Sequence, residues 1–265
     1  MPRAAMQWVW VCGAVALCGL GGCRKNAVNV MGSTSIQPFA EMLAQEFNRR
    51  QGDVRVEVQG GGSTFGIQAV ANGIAQIGMC SRSLLGDEKD KYTAIIIARD
   101  GVAVVVNKDN PVSELKLSQI RDLFAGRIKN WKEIGGNDQP VRLVVREEGS
   151  GTREAFVSLV MPNERISTDA LTQGSTGAAM ELVRNDPGAV GFMSLGQVGK
   201  NLKPLVVEGV AATPEAILKG EYPLVRPFLF AVRGQPDPKA QRFIDFVLSA
   251  DGQRMLEKEG LVRAQ

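Results

Sequence analysis

Three times in this chain an apolar, strand-like run gives way to a turn of glycine, serine and threonine, and then to helical periodicity. Ala27 to Met31 leads into Gly32-Ser33-Thr34-Ser35, and a pattern follows with Phe39, Met42, Leu43 and Phe47 on one helix face. Val54 to Val58 leads into Gly60-Gly61-Gly62-Ser63-Thr64 and a helix from about Phe65 to Asn72. Val141 to Val145 leads into Arg146-Glu147-Glu148-Gly149-Ser150-Gly151-Thr152, after which Phe156, Leu159 and Val160 share a helix face. Gln76 to Cys80 is a further strand-like piece, ending in Ser81-Arg82-Ser83. Ile95 to Ala98 and Val102 to Val106 read as two separate strands, Gly174-Ser175-Thr176 as another helix start, and Leu224 to Val232 as a long late strand. Strands alternating with helices imply an α/β architecture with largely parallel sheets covered on both faces. Ligands in such folds collect beyond the C-terminal ends of the strands, where helix N-termini point.

The turns have the chemistry of an anion site. A helix start leaves backbone N–H groups unpaired and carries partial positive charge. Glycine lets the backbone approach a ligand closely. Thr34, Ser35, Ser63, Ser81, Ser150 and Thr152 supply hydroxyl donors, and Arg146 supplies a forked cation suited to a tetrahedral oxyanion. Arg82 either adds to that charge or is a solvated surface arginine. A capped helix behind a tight turn explains any one of these stretches; several of one kind in a single chain argue for a shared ligand. Near neutral pH phosphate keeps a proton and sulfate does not, so a carboxylate acceptor in the site would favour the first. Glu147 and Glu148 are the nearby candidates. Glu148 can accept that proton, pair with Arg146 or lie solvated at the helix start; pairing with Arg146 is the role we expect of it.

Composition narrows the alternatives. The 265 residues leave room for one large or two small domains with a real core. Net charge is +3, too balanced for a nucleic-acid partner, and no dense Lys/Arg stripe appears. Histidine is absent, which removes Ser-His-Asp and Cys-His catalysis and most zinc sites. Gly149-Ser150-Gly151 lacks the G-x-S-x-G spacing, and no P-loop pattern occurs. These features argue against an enzyme, and no cofactor or metal is expected.

The N-terminus reads as an export signal. Arg3 gives a basic start, and the apolar stretch from Trp8 to Leu20 is about a dozen residues, too short for a comfortable membrane span. It ends in Leu20-Gly21-Gly22-Cys23, which resembles a lipobox and would place a signal peptide at 1–22 and a lipid-carrying (palmitate-type) Cys23 at the mature start; a plain signal peptide with an incidental cysteine is the alternative. Acyl chains would hold the protein on a membrane surface without a spanning helix. Cys12 and Cys18 leave with the signal, so Cys80 is the one remaining thiol, expected to be a small buried residue.

The assembled motifs resemble those of the bacterial phosphate-binding proteins, the extracytoplasmic receptors of phosphate ABC importers. The resemblance covers nearly all of the mature chain. It is carried by Gly-Ser-Thr-Ser-Ile at 32–36, Gln-Gly-Gly-Gly-Ser-Thr at 59–64, Ile-Gly-Met-Cys-Ser-Arg at 77–82 and Arg-Glu-Glu-Gly-Ser-Gly-Thr-Arg at 146–153, with Asn130-Trp131, Gly135-Gly136 and Gly191-Phe192 in support. It implies a two-lobed type II periplasmic binding protein fold with two hinge strands, crossing near Val104–Asn107 and Pro227–Val232. One lobe would comprise 23–103 and 229–265, and the other 104–228. Inorganic phosphate would bind between them, held by Thr34, Ser35, Ser63 and Ser81 from the first lobe and by Arg146, Ser150, Gly151 and Thr152 from the second; Ser33, Arg82 and Glu148 are possible additions. A membrane permease would be the protein partner and the receptor itself a monomer. The chain departs from the family in one place. Some members carry an aspartate after the third strand to accept the phosphate proton, whereas Ser81 stands here. Another oxyanion, such as sulfate or molybdate, or a sensing role without transport, is the alternative.

Overall fold

The computed structural model describes residues 27–264. The expected signal segment and Cys23 lie outside the described residues. The chain begins with β1 (Ala27–Gly32), α1 (Gln37–Arg50), β2 (Arg55–Gly60), α2 (Ser63–Ala71), β3 (Ile77–Cys80), the short α3 (Glu88–Lys91) and the long β4 (Thr93–Asn107). It continues through β5 (Glu114–Leu115), α4 (Leu117–Phe124), β6 (Arg142–Arg146), α5 (Gly151–Val160), β7 (Leu171–Gln173), α6 (Thr176–Asn185), β8 (Ala189–Ser194), β9 (Leu202–Pro204), β10 (Val206–Val207) and α7 (Pro214–Leu218). It then returns along β11 (Val225–Val232) to α8 (Pro238–Leu248), α9 (Ala250–Lys258) and β12 (Val262–Arg263).

The principal sheet runs β2-β1-β3-β11-β4-β8-β6-β7. Pairing is parallel among β2, β1 and β3 in one lobe, and among β8, β6 and β7 in the other. The expected parallel sheet therefore holds inside each lobe and fails at the centre. There β11 runs antiparallel to both β3 and β4, and β4 antiparallel to β8. The reason is topological: β4 leaves the first lobe and β11 comes back to it, so the two crossing strands point in opposite directions.

β4 also corrects a reading of the sequence. Arg99-Asp100-Gly101 looks like a break between two strands, yet one strand runs unbroken for 15 residues. It pairs with β11 as far as Gly101 and with β8 from Val102 onward. The polar residue in the middle is tolerated because Asp100 is buried against a cation: Arg226 of β11 donates from Nε at 2.9 Å. A buried charge is stable only when paired in this way.

Each lobe has its own core. In the first, Phe39, Leu43 and Phe47 of α1 pack with Phe243 and Val247 of α8 over Phe228 and Phe230 of β11. The i, i+4, i+8 spacing of the α1 residues puts them on one stripe. On the opposite face α2 lies directly on the strands: a Cβ at Gly66 would come within 2.6 Å of the Met31 carbonyl oxygen, so glycine there sets the helix-to-sheet distance. In the second lobe Phe124, Phe156 and Phe192 form an aromatic group, with Phe156 and Phe192 stacked at 4.0 Å between centroids. Phe156 belongs to α5, so this packing fixes the helix that begins at Gly151. Phe156→Ala should lower stability by about 3–5 kcal/mol, read from the midpoint of urea unfolding. A loss under about 1 kcal/mol would mean that the ring group does not anchor α5.

Candidate functional site

Four helix starts converge where the lobes meet. Ser35, which leads into α1, has its Oγ 2.7 Å from the Thr152 Oγ1 in the first turn of α5. The same Ser35 Oγ is 3.2 Å from the Oγ1 of Thr176, the first residue of α6. Thr34 Oγ1 lies 3.2 Å from Thr176 Oγ1 as well and accepts from the Thr176 N–H at 3.3 Å. The fourth start is that of α2, where Ser63 faces Gly151. A Cβ on Gly151 would overlap the Ser63 Oγ and lie 2.7 Å from the Ser81 Oγ, so only glycine allows the two lobes to come this close. Backbone bonding joins them too: the Thr64 N–H donates to the Gly149 carbonyl at 3.1 Å. Gly62 and Gly149 face each other there with φ of 92° and 84°, left-handed values that suit glycine. The first N–H groups of all four helices have no partner within their own helix, and each helix adds its positive dipole end.

Two buried guanidiniums stand among these hydroxyls. Arg146, at the end of β6, donates from Nη1 to Thr176 Oγ1 at 2.8 Å. Its Nε and Nη2 form a fork onto Glu147 at 2.9 and 2.8 Å. The partner is thus Glu147 and not Glu148, which is exposed. β6 and the turn after it place Glu147 beside the guanidinium and turn Glu148 outward. Arg226 is the second cation. Its Nη1 donates to Thr152 Oγ1 at 2.7 Å and to the Ser81 carbonyl at 3.2 Å. Asp100 takes the other side of Arg226 and accepts a 2.9 Å bond from the Ser194 hydroxyl. Burial pushes the Asp100 carboxyl above the ordinary range and the Arg226 guanidinium below it, and their mutual attraction works against both shifts.

The hydroxyl residues expected from the sequence fall as follows. Thr34, Ser35, Ser63, Ser81, Gly151 and Thr152 are all at the junction of the lobes. Ser63 and Ser81 are 3.4 Å apart through their hydroxyls, and the Ser81 N–H donates to Ser63 Oγ. Ser150 is buried and caps α5 by accepting from the Arg153 N–H. Ser33 is turned into its own loop, accepting from the Ser35 N–H at 3.2 Å. Arg82 is buried, but its guanidinium is taken up by two carboxylates. It donates to Glu88 at 2.7 and 3.0 Å and meets Glu154 of α5 in an ion pair. Burial opposes its charge, yet the bonds to Glu88 and the surrounding negative groups outweigh that and raise its pKa. Arg82 is therefore a bridge between lobes. Cys80 is fully buried beside it, with its thiol pKa pushed up by burial, which leaves it unreactive.

Three residues of this cluster were absent from the expected set: Thr176, Arg226 and Asp100. Thr176 had a signal, since it belongs to a Gly-Ser-Thr helix start like the others. The two charges had another. Asp100 sits between β-branched runs and Arg226 inside an apolar one, and lone opposite charges in neighbouring strands have reason to pair.

A sheet crossed twice by antiparallel strands, with a polar, arginine-floored junction between its lobes, defines a type II periplasmic binding protein. A family model described as a PBP superfamily domain matches residues 21–251, and the chain belongs to that family. It is 30% identical over 237 residues to the phosphate-binding protein PstS of Bacillus subtilis, covering 87% of this chain and 78% of that protein. A crystal structure of a phosphate ABC transporter substrate-binding protein with bound phosphate, from Clostridium perfringens, superposes with a TM-score of 0.88 at 39% identity, covering 91% of this chain and 100% of that one. An ABC-type phosphate transport receptor from Vibrio cholerae superposes with a TM-score of 0.75 at 36% identity, covering 89% and 99%.

The Arg82 bridge yields a prediction. A lysine is a point charge that cannot hold two carboxylates as a fork does, so Arg82→Lys should cost about 1–2 kcal/mol in urea unfolding. Lys91→Ala, which removes an exposed partner of Asp87 on the same short helix, should change stability by less than about 0.5 kcal/mol. Equal effects would show that the bridge adds nothing beyond a surface pair.

Proposed function

We propose that this protein captures inorganic phosphate between its two lobes and hands it to the membrane permease of an ABC importer. The observation that carries the reading is the donor set at the lobe junction: two buried guanidiniums and a ring of hydroxyls, joined by four helix starts. A tetrahedral oxyanion offers many acceptor sites and few donors, so it is the ligand such a set suits. The residues we assign to it are Thr34, Ser35, Ser63 and Ser81 from one lobe and Arg146, Ser150, Gly151 and Thr152 from the other, joined by Thr176. The hydroxyls that bond one another across the seam are the donors an oxyanion takes up. Relatives that bind phosphate support the choice of anion. The division of labour is binding without covalent chemistry.

A specific observation favours a broader anion range as the second reading. Where some relatives of this kind carry an aspartate, Ser81 stands here, and the two carboxylates beside the buried guanidiniums are committed, Glu147 to Arg146 and Asp100 to Arg226. Neither is free to accept a phosphate proton and so to reject sulfate. Hydroxyls can donate or accept, so they hold protonated and unprotonated oxyanions alike.

The lipobox-like Leu20-Gly21-Gly22-Cys23 supports export and attachment by a lipid on Cys23. No helix among the described residues is long and apolar enough to cross a membrane. Cys23→Ala should move the protein from the membrane to the soluble fraction on cell fractionation.

Calorimetric titration of the ligand-stripped protein tests the binding reading. Phosphate should bind one to one, and Arg146→Ala should weaken it by at least about 100-fold, the loss of two charge-assisted bonds at roughly 1.4 kcal/mol per factor of ten. Sulfate binding within about tenfold of phosphate would establish the broader range. No phosphate binding, with tight uptake of another anion, would overturn the ligand and leave the fold.

A further inference from the structure

We propose that Arg226, held by Asp100 where the two lobe-crossing strands meet, is a positioning residue of the anion site that acts through the Thr152 hydroxyl. The assignment rests on the phosphate reading above and deepens it. Arg226 lies on β11 and Asp100 on β4, the strands that connect the lobes. The guanidinium is fixed on four sides. Asp100 accepts from Nε at 2.9 Å and lies 2.8 Å from Nη2, the Ser81 carbonyl accepts from Nη1, and the guanidinium carbon stands 5.0 Å over the Phe228 ring. Asp100 is itself held by Ser194. The remaining strong bond of Nη1 runs from the crossing strand to the start of α5, to Thr152 Oγ1 at 2.7 Å.

That bond decides which way the Thr152 hydroxyl points. A hydroxyl has one proton and two lone pairs. An arginine can only donate, so Thr152 accepts from it and must send its own proton elsewhere. The neighbour on the other side is Ser35 Oγ, at 2.7 Å. Arg146 treats Thr176 in the same manner, and Thr176 also faces Ser35 at 3.2 Å. Two fixed cations thus turn the Thr152 proton toward Ser35 and the Thr176 proton toward Ser35 or Thr34, and an oxyanion taken up among these hydroxyls meets donors already aimed at it. Pre-aimed donors bind more tightly than hydroxyls that must reorient on arrival. Ser35 belongs to the first lobe and Thr152 to the second, so these two hydroxyls meet only with the lobes together.

The test is a double-mutant cycle on phosphate affinity, measured by calorimetry on the whole ligand-stripped protein. Arg226→Gln with Asp100→Asn removes the buried pair together and leaves no lone charge. We expect this protein to fold, and to bind phosphate at least about tenfold more weakly than wild type. In a Thr152→Val background the same pair of changes should have little further effect, whereas in a Thr152→Ser background the tenfold loss should persist. Arg226→Lys, which keeps a charge against Asp100 but loses the fork, supplies a second route if the double variant fails to fold; it too should lose about tenfold. Wild-type affinity in either folded variant overturns the assignment, and so does a loss that is undiminished in the Thr152→Val background, since a purely structural pair would act independently of that hydroxyl. Wild-type protein that takes up no phosphate overturns the phosphate reading and this assignment with it; phosphate uptake that the variants leave untouched overturns this assignment alone.

Discussion

A carboxylate and a guanidinium buried together between two crossing strands hold the rest of this structure in place. Taking such charges out of water costs several kcal/mol each, and the pair is stable because its geometry is close and most of its other bonding positions are filled. Asp100 has Ser194 as well as Arg226; Arg226 has the Ser81 carbonyl, the Phe228 face and Thr152. The pair sits where β4 exchanges β11 for β8 as its partner. One interaction therefore touches the connection between the lobes, the third strand's end in the first lobe and the helix start in the second.

The junction is close to electrically neutral on its own. Arg146 is matched by Glu147 and Arg226 by Asp100, so the protein does not have to fold two bare cations against each other. Charge is supplied where geometry needs it, and the finer work of holding a ligand falls to hydroxyls and backbone N–H groups. The bridge of Arg82 with Glu88 and Glu154 repeats the device at the rim, one cation shared by carboxylates of both lobes.

Much of this was legible in the sequence, for physical reasons. Three turns had glycines and hydroxyls between a strand-like run and helical periodicity, and that combination is local, so Thr34, Ser35, Ser63, Gly151 and Thr152 could be picked out one turn at a time, and Ser81 from its place at the end of a strand-like run. What could not be seen is what depends on pairing at a distance. Asp100 and Arg226 are 126 residues apart in sequence, and each alone looks like an interruption of a strand. Arg82 gave the same trouble: a lone arginine after a strand has no sign of the two carboxylates that claim it. Choosing between Glu147 and Glu148 as the partner of Arg146 required the path of the turn, since adjacent residues point in different directions there.

The bare backbone at Gly151 has a consequence for what the cleft can admit. With Ser63 and Ser81 pressed against it, the two walls come into contact on that side. An inorganic oxyanion needs no opening there, being the same size from every direction. A phosphate ester carries an organic arm, which could not leave past Gly151 without parting these walls. On that side an alpha carbon without a side chain would work against an ester, with no group needed to recognise the arm.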